Sequence, residues 1–349
     1  MTRNVSFLSL AVATSLFAQP KITSVTRSSG PSSGGSTVTI RGSGFDTTCP
    51  PAPLPCGQTS VLFGQVPVNS FRVIDQNTIE AVTPPYLPGA ADVEVRFPNG
   101  AASLRSAFTF TGEPTDAFER ILVPLLVPPT TPGAFGSQFV TDFSLWGTAG
   151  GNIPVFGIGF KPCVGPVITL CPPDVPSVFL TTLRPRLDVP VSAFNTYGDP
   201  GLMLWIPKGA YDRIAATLRV RDLSRRLESW GTAVPLVPER EFRSGFLALL
   251  DVPMNSGFRD TLRIYSIDPD VSAHVRVVRF DGSISREFDV DLGTPSDMFH
   301  PGYAQIGDFP LDPYSVRIEI EPRPASKRIW AFMSITHNET QHITIVTPH

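Results

Sequence analysis

Asp92-Val-Glu-Val-Arg-Phe97 sets apolar side chains at 93, 95 and 97 between charged ones at 92, 94 and 96, and Val316-Arg-Ile-Glu-Ile-Glu321 repeats the pattern near the other end of the chain. A period of two sends alternate side chains to opposite faces, so both segments read as strands with one face in a core and one in water. The segment nearest to helical spacing obeys the same rule: Ile214, Ala216, Leu218 and Val220 are apolar, while Thr217, Arg219 and Arg221 point the other way. Further runs at 37–40, 261–267, 275–280 and 329–335 are separated by turn formers such as Pro98-Asn-Gly100 and Phe280-Asp-Gly-Ser283. Many short strands with such punctuation predict an all-β chain of sandwiches.

Composition agrees. The 349 residues are 42% hydrophobic and 17% charged, which predicts a folded chain of two or three domains. The 37 prolines and 28 glycines argue against long helices, because proline removes an interior hydrogen bond and glycine costs backbone entropy. A net charge of -3 supplies no clustered Lys and Arg for polyanion binding, so nucleic acid is not an expected partner.

Residues 1–18, with Arg3, no acid, an apolar stretch from Val5 to Phe17 and Ala18 before Gln19, read as a secretory signal peptide. The stretch is too short and too interrupted by serine and threonine for a membrane anchor, and no later segment reads as a span. The expected location is therefore secreted, periplasmic or cell-surface. In that oxidising setting Cys49 with Cys56, and Cys163 with Cys171, read as two local disulfides, each clipping a proline-flanked loop. Free thiols and a zinc site are the alternatives, although no histidine lies near either pair.

Residues from Lys21 onward carry an ordered set of motifs: Ser29-Gly-Pro-Ser-Ser-Gly-Gly-Ser-Thr-Val-Thr-Ile-Arg-Gly-Ser-Gly-Phe45, Val61-Leu-Phe-Gly64, Thr78-Ile-Glu-Ala-Val-Thr-Pro-Pro85, Gly89 to Phe97 with Asn99-Gly100, and Ala107-Phe-Thr-Phe110. This order resembles the IPT/TIG family, the immunoglobulin-like domain shared by plexins, some transcription factors and many bacterial surface proteins. The resemblance covers residues 20–112 and implies an immunoglobulin-like sandwich; the Cys49–Cys56 insertion departs from it. Beyond Glu113 the chain resembles uncharacterised β-sandwich modules of exported bacterial proteins. A weak internal echo between Gly133–Trp146 and Gly245–Tyr265 suggests two units. The expected organisation is a signal peptide at 1–18, an IPT/TIG-like domain at 19–113 and sandwiches at 114–235 and 236–349.

Catalytic and metal motifs are weak. Gly30-Pro-Ser-Ser-Gly34 fits G-x-S-x-G, but the elbow requires a strand before and a helix after, and here a strand follows. His337 and His342 flank Asn338-Glu-Thr-Gln341 without the helix that H-E-x-x-H chemistry requires. Asp268 and Asp270 are the calcium candidates, since turn carboxylates offer hard oxygen ligands. Glu239, Glu241 and Asp251 are the nearest approach to the paired acids of a glycosidase. Trp146 and Trp205 sit in apolar runs and are expected in the core. Trp230, in Leu-Glu-Ser-Trp-Gly-Thr, is the residue to pack between domains or to contact a ligand. The expected function is that of a non-catalytic binding or adhesion protein without a required cofactor, recognising extracellular glycan or protein through sandwich-end loops. A polysaccharide-active enzyme with its cleft in 115–349 and a self-assembling structural subunit are the rivals.

Overall fold

The structure is a computed structural model that describes residues 19–47, 59–127, 131–148, 153–157, 187–188, 201–224 and 230–349. Residues 1–18, read above as a signal peptide, and the two cysteine pairs lie outside the described residues. The chain is all-β and divides into two compact units, residues 1–113 and 114–349.

In the first unit β1 (Lys21–Thr26), β2 (Ser29–Pro31), β3 (Thr37–Ser43), β4 (Ser60–Phe63), β5 (Val66–Pro67), β6 (Phe71–Asp75), β7 (Thr78–Val82), β8 (Gly89–Phe97) and β9 (Gly100–Thr111) form two sheets. Sheet I runs β1-β3-β7-β6 and sheet II runs β2-β9-β8-β4-β5. The alternation at 92–97 works as the sequence requires: Val93, Val95 and Phe97 are buried in the core with Ile40, Ile79 and Phe108. Phe45 stacks on Phe97 with centroids 5.6 Å apart. Gly42 makes that entry feasible, because a Cβ there would strike the Lys21 carbonyl and the Phe45 ring.

The second unit contains β10 (Phe118–Val123), β11 (Thr131–Pro132), β12 (Gln138–Gly147), β13 (Leu187–Asp188), β14 (Leu202–Pro207), β15 (Ile214–Asp222), β16 (Thr232–Ala233) and β17 (Val237–Pro238). These are followed by β18 (Leu247–Pro253), β19 (Phe258–Ser266), β20 (Val271–Val278), β21 (Ile284–Gly293), β22 (Gly302–Ile306), β23 (Ser315–Arg323), β24 (Ile329–His337) and β25 (Ile343–Val346). They build sheet III (β11-β12-β15-β16, with β13 on β12), sheet IV (β14-β10-β17), sheet V (β22-β19-β24-β25) and sheet VI (β18-β23-β20-β21).

Side-chain parity orders these sheets as a stack. Met203 and Leu122 of sheet IV pack on Tyr265, Trp330 and Phe332 of sheet V, while Leu262, Ile264, Ala331 and Met333 leave the opposite face of sheet V for Leu247, Val275 and Ile318 of sheet VI. Ile121 and Leu204, on the other face of sheet IV, look toward Leu145 and Ala216 of sheet III. Sheets IV and V are thus covered on both faces, and one strand of each, β14 and β24, reads as an unbroken apolar run: all five residues of Leu202–Ile206 are buried, as are all five of Ile329–Met333. Sheet VI, with one wet face, keeps the alternation in β20 and β23. Gly201 admits a close approach of the Tyr265 ring, on which a Cβ there would press.

One position breaks the pattern. Asp260 lies on the core-facing side of β19 with Leu262 and Ile264, opposite Ile335 of β24, and its Oδ1 is buried with no hydrogen-bond partner among the described residues. Burial pushes its carboxyl up to about 6 from 3.8. The folded state therefore holds a proton that the unfolded chain releases, so this group's contribution is most favourable below about pH 4 and is lost as pH rises through 6. Asp260→Asn should be neutral near pH 4 and, allowing for solvent screening, stabilising by about 1–2 kcal/mol at pH 7.5, measured as the difference between paired urea melts across pH. A pH-independent difference would show that Asp260 is solvated in the native state.

Candidate functional site

The outer face of sheet III gathers aromatic and hydrogen-bonding side chains. On β12, Thr141, Phe143 and Leu145 point inward and are buried, so Asp142, Ser144 and Trp146 take the outer face. Antiparallel pairing sets Asp142 opposite Arg219, Ser144 opposite Thr217 and Trp146 opposite Ala215 on β15. Asp142 also pairs diagonally with Arg221, Nε to Oδ2 at 2.5 Å. Trp146 is half-buried here rather than in the core, because the alternation that buries Leu145 turns its neighbour outward.

Trp230 joins this face from the turn before β16. The residue is 74% exposed, and the Arg219 guanidinium lies 4.5 Å from the ring centroid. A cation over one ring face is favourable and fixes the indole plane, and Gly231, at φ 73, makes the turn that brings it there. From the Asp142–Arg219 pair to Trp146 the face extends four residues, roughly 13 Å at strand rise.

The carboxylates singled out from sequence have other occupations. Glu239 receives Arg120 in a two-point contact, Nη2 to Oε1 at 2.7 Å and Nε to Oε2 at 2.9 Å. Arg328 reaches the same Oε1 at 3.3 Å and holds Asp268 through its backbone N–H at 2.7 Å and Nη2 at 3.0 Å. Burial would raise the Glu239 carboxyl, but the Arg120 hydrogen bonds and the charges of Arg120 and Arg328 outweigh it and hold it below its usual value. Asp270 accepts the Thr294 hydroxyl at 2.7 Å. Glu241 is exposed, and Asp251 sits in the β18 irregularity between Leu249 and Val252. Among the described residues no group of three or more His, Cys, Asp or Glu could hold a metal ion.

The two histidines cap a turn. The ring Nδ1 of His337 accepts the backbone N–H groups of Glu339 and Thr340, each at 3.2 Å, while Arg259 donates to Asn338 at 2.6 Å and Gln341 at 2.7 Å. Ser32 of G-x-S-x-G is buried and donates to the Thr111 carbonyl at 2.9 Å, in the approach to β3. Trp205 is core, with its indole N–H on the Met298 carbonyl at 2.8 Å.

A second surface feature was not anticipated from sequence. At one end of the last sandwich Phe280 is 93% exposed, with Leu311 and Tyr314 each 72%. The Phe280 turn is closed by Gly282 N–H to the Arg279 carbonyl at 3.0 Å and by the Ser283 hydroxyl to Asp281 at 2.7 Å. Arg279 ties it to the neighbouring loop through Asp312 at 2.8 Å. An aromatic residue directly before Asp-Gly in a hairpin tip was the available signal.

Comparison with known proteins addresses the first unit. Residues 20–111 match the IPT/TIG domain family. This segment is an IPT/TIG domain. No curated protein matches the chain. Solved structures similar to it include SGBP-B from a complex xyloglucan utilization locus in Bacteroides uniformis, 10% identical over 89% of this chain and 73% of that one, with a TM-score of 0.21. The full extracellular region of plexin A4 is 13% identical over 98% of this chain and 25% of its own, at 0.23. SGBP-B of the Bacteroides ovatus mixed-linkage glucan utilization locus, in complex with a mixed-linkage heptasaccharide, is 13% identical over 87% and 74%, at 0.19. Superpositions this loose carry no argument about function.

The IPT/TIG domain itself keeps its aromatic residues for its core, with Phe63 edge-on to Phe108 at 5.3 Å and Tyr86 stacked on Phe110 at 5.1 Å. Among the described residues, the exposed large aromatic side chains all belong to residues 114–349.

Glu239 is thus expected to be a structural anchor. Glu239→Gln leaves two partly buried guanidinium groups short of charge and should cost about 2–3 kcal/mol in chemical denaturation at pH 7, well above an exposed pair. A depressed carboxyl contributes above its unfolded value and is lost as pH falls through the folded one, so the cost should shrink below pH 4.5. A loss under 0.5 kcal/mol at pH 7 would remove the anchor role.

Proposed function

We propose that the chain is an exported, non-catalytic binding protein that recognises glycan on the outer face of sheet III, with Trp230 as its stacking platform. The observation that carries this reading is the indole of Trp230, exposed to solvent and backed by Arg219 at 4.5 Å. A sugar ring offers an apolar C–H face and a rim of hydroxyls; the indole suits the former, and Asp142, Ser144, Thr217 and Arg221 suit the latter. Export is supported by the composition of residues 1–18. The absence of catalysis is supported by the arginine contacts that hold Glu239 and Asp268 as ion-pair partners rather than as free acids. Among the described residues no helix is long and apolar enough to cross a membrane.

A second reading is favoured by Phe280, Leu311 and Tyr314, whose exposure on tied turns suits a protein partner at that end of the sandwich.

Residues 19–349, run over a glycan array with and without calcium, test both. Selective retention is expected for the wild type, with at least a tenfold loss in Trp230→Ala at unchanged Tm and no loss in Phe280→Ser. Retention that survives Trp230→Ala would overturn the platform, and a blank array would overturn the glycan reading in favour of the Phe280 end.

A further inference from the structure

The gap between sheets III and IV contains a cavity of about 190 Å³. Its floor is aliphatic and buried: Ile121, Leu145, Val155, Leu204 and Ile206. Its mouth is partly open, because Ile214 and Ala216 at the start of β15 are half-exposed where Leu218 and Val220 further along the same face are buried. The connection from β16 to β17 passes from the edge of sheet III to the edge of sheet IV and sets Pro235 and Leu236 beside that mouth. Tyr211 is the one polar side chain among the described lining residues, and Arg240 lies 4.7 Å from its ring centroid, covering one face.

We propose that this cavity is a binding site for a neutral aromatic molecule of one ring or two fused rings. Size is the first argument: an apolar cavity of about 150 Å³ stays dry and admits benzene, and a site with so little polar lining offers water few of the partners it needs. Charge is the second. Arg240 at the mouth is paired with Glu119 at 3.8 Å, and Asp212, Arg213 and Glu241 are nearby in the chain, so neither a carboxylate nor an ammonium ligand finds an uncompensated counter-charge. Shape is the third, since the gap lies between two sheets, a slot that suits a flat ring. The site is separate from the Trp230 face: Ala216 points toward sheet IV, whereas Arg219 points away from it.

Calorimetric titration of residues 19–349 with indole and with p-cresol, and with benzoate as the charged comparison, tests the assignment. Saturable one-to-one binding of indole and p-cresol is expected, with a raised Tm and affinity for benzoate at least tenfold weaker. Ala216→Phe, which places a ring in the cavity, should abolish indole binding; Ala216→Leu should weaken it by about tenfold, and serves if the larger side chain disturbs folding. Trp230→Ala should leave indole binding unchanged, so the fate of the glycan platform is read independently. Non-saturating heats, equal binding of benzoate, or indole affinity unaltered in both Ala216 variants would overturn the proposal.

Discussion

Leu122 and Met203 meet Tyr265, Trp330 and Phe332 across the boundary between sheets IV and V, and the order of the whole second unit depends on that contact. Tyr265 and Phe332 lie parallel with centroids 6.3 Å apart, Trp330 sits 5.6 Å from Phe332, and the Tyr265 hydroxyl donates to the Pro124 carbonyl. Each ring adds roughly 1.5–3 kcal/mol of burial. A sheet covered on both faces exposes only its edges, so among the described sheets of this unit it is the two outer ones that offer broad faces to solvent. The stacking of sheets IV and V is therefore also what assigns recognition to sheet III and to the loops of the last sandwich.

Apolar packing fixes how close the layers come but not their sliding, and the polar contacts at the rim supply that register. Arg120, on the face of β10 that carries Leu122, joins Glu239, which shares Arg328 with Asp268, so one chain of ion pairs connects β10, the turn after β17, the end of β19 and the approach to β24. Partly buried pairs of this kind add little net stability, but removing one member strands the charge of its partners. Two acids that stand out in sequence as candidates for chemistry are thus spent on alignment. Sequence cannot make that distinction, because Arg120 is far along the chain from Glu239 and nothing local announces the partnership.

The same division marks what was legible beforehand. The alternation in β8, β20 and β23 is a local property with a fixed period, and it translated directly into strands with one wet face. The unbroken runs at 202–206 and 329–333 also carried the message that their sheets are covered on both sides, but which layers cover them depends on contacts between distant segments. Trp146 was misplaced because a run of mixed residues was treated as wholly interior, although the phase set by Phe143 and Leu145 turns it outward. Asp260 was readable by the same phase, two residues before Leu262. The exposure of Trp230 followed from its turn, but its pairing with Arg219 needed the β15–β16 register.

Sheet III differs from its neighbours in being packed unevenly on its inner side, tightly at Leu218 and Val220 and loosely at Ile214 and Ala216. Were the cavity at the loose end closed and empty, about 190 Å³ would cost at most about 4–5 kcal/mol relative to a filled core, a large share of the net stability of an ordinary domain. The mouth at Tyr211 and Pro235 gives access to that space, and an apolar ring would recover part of the cost through contacts with the aliphatic floor.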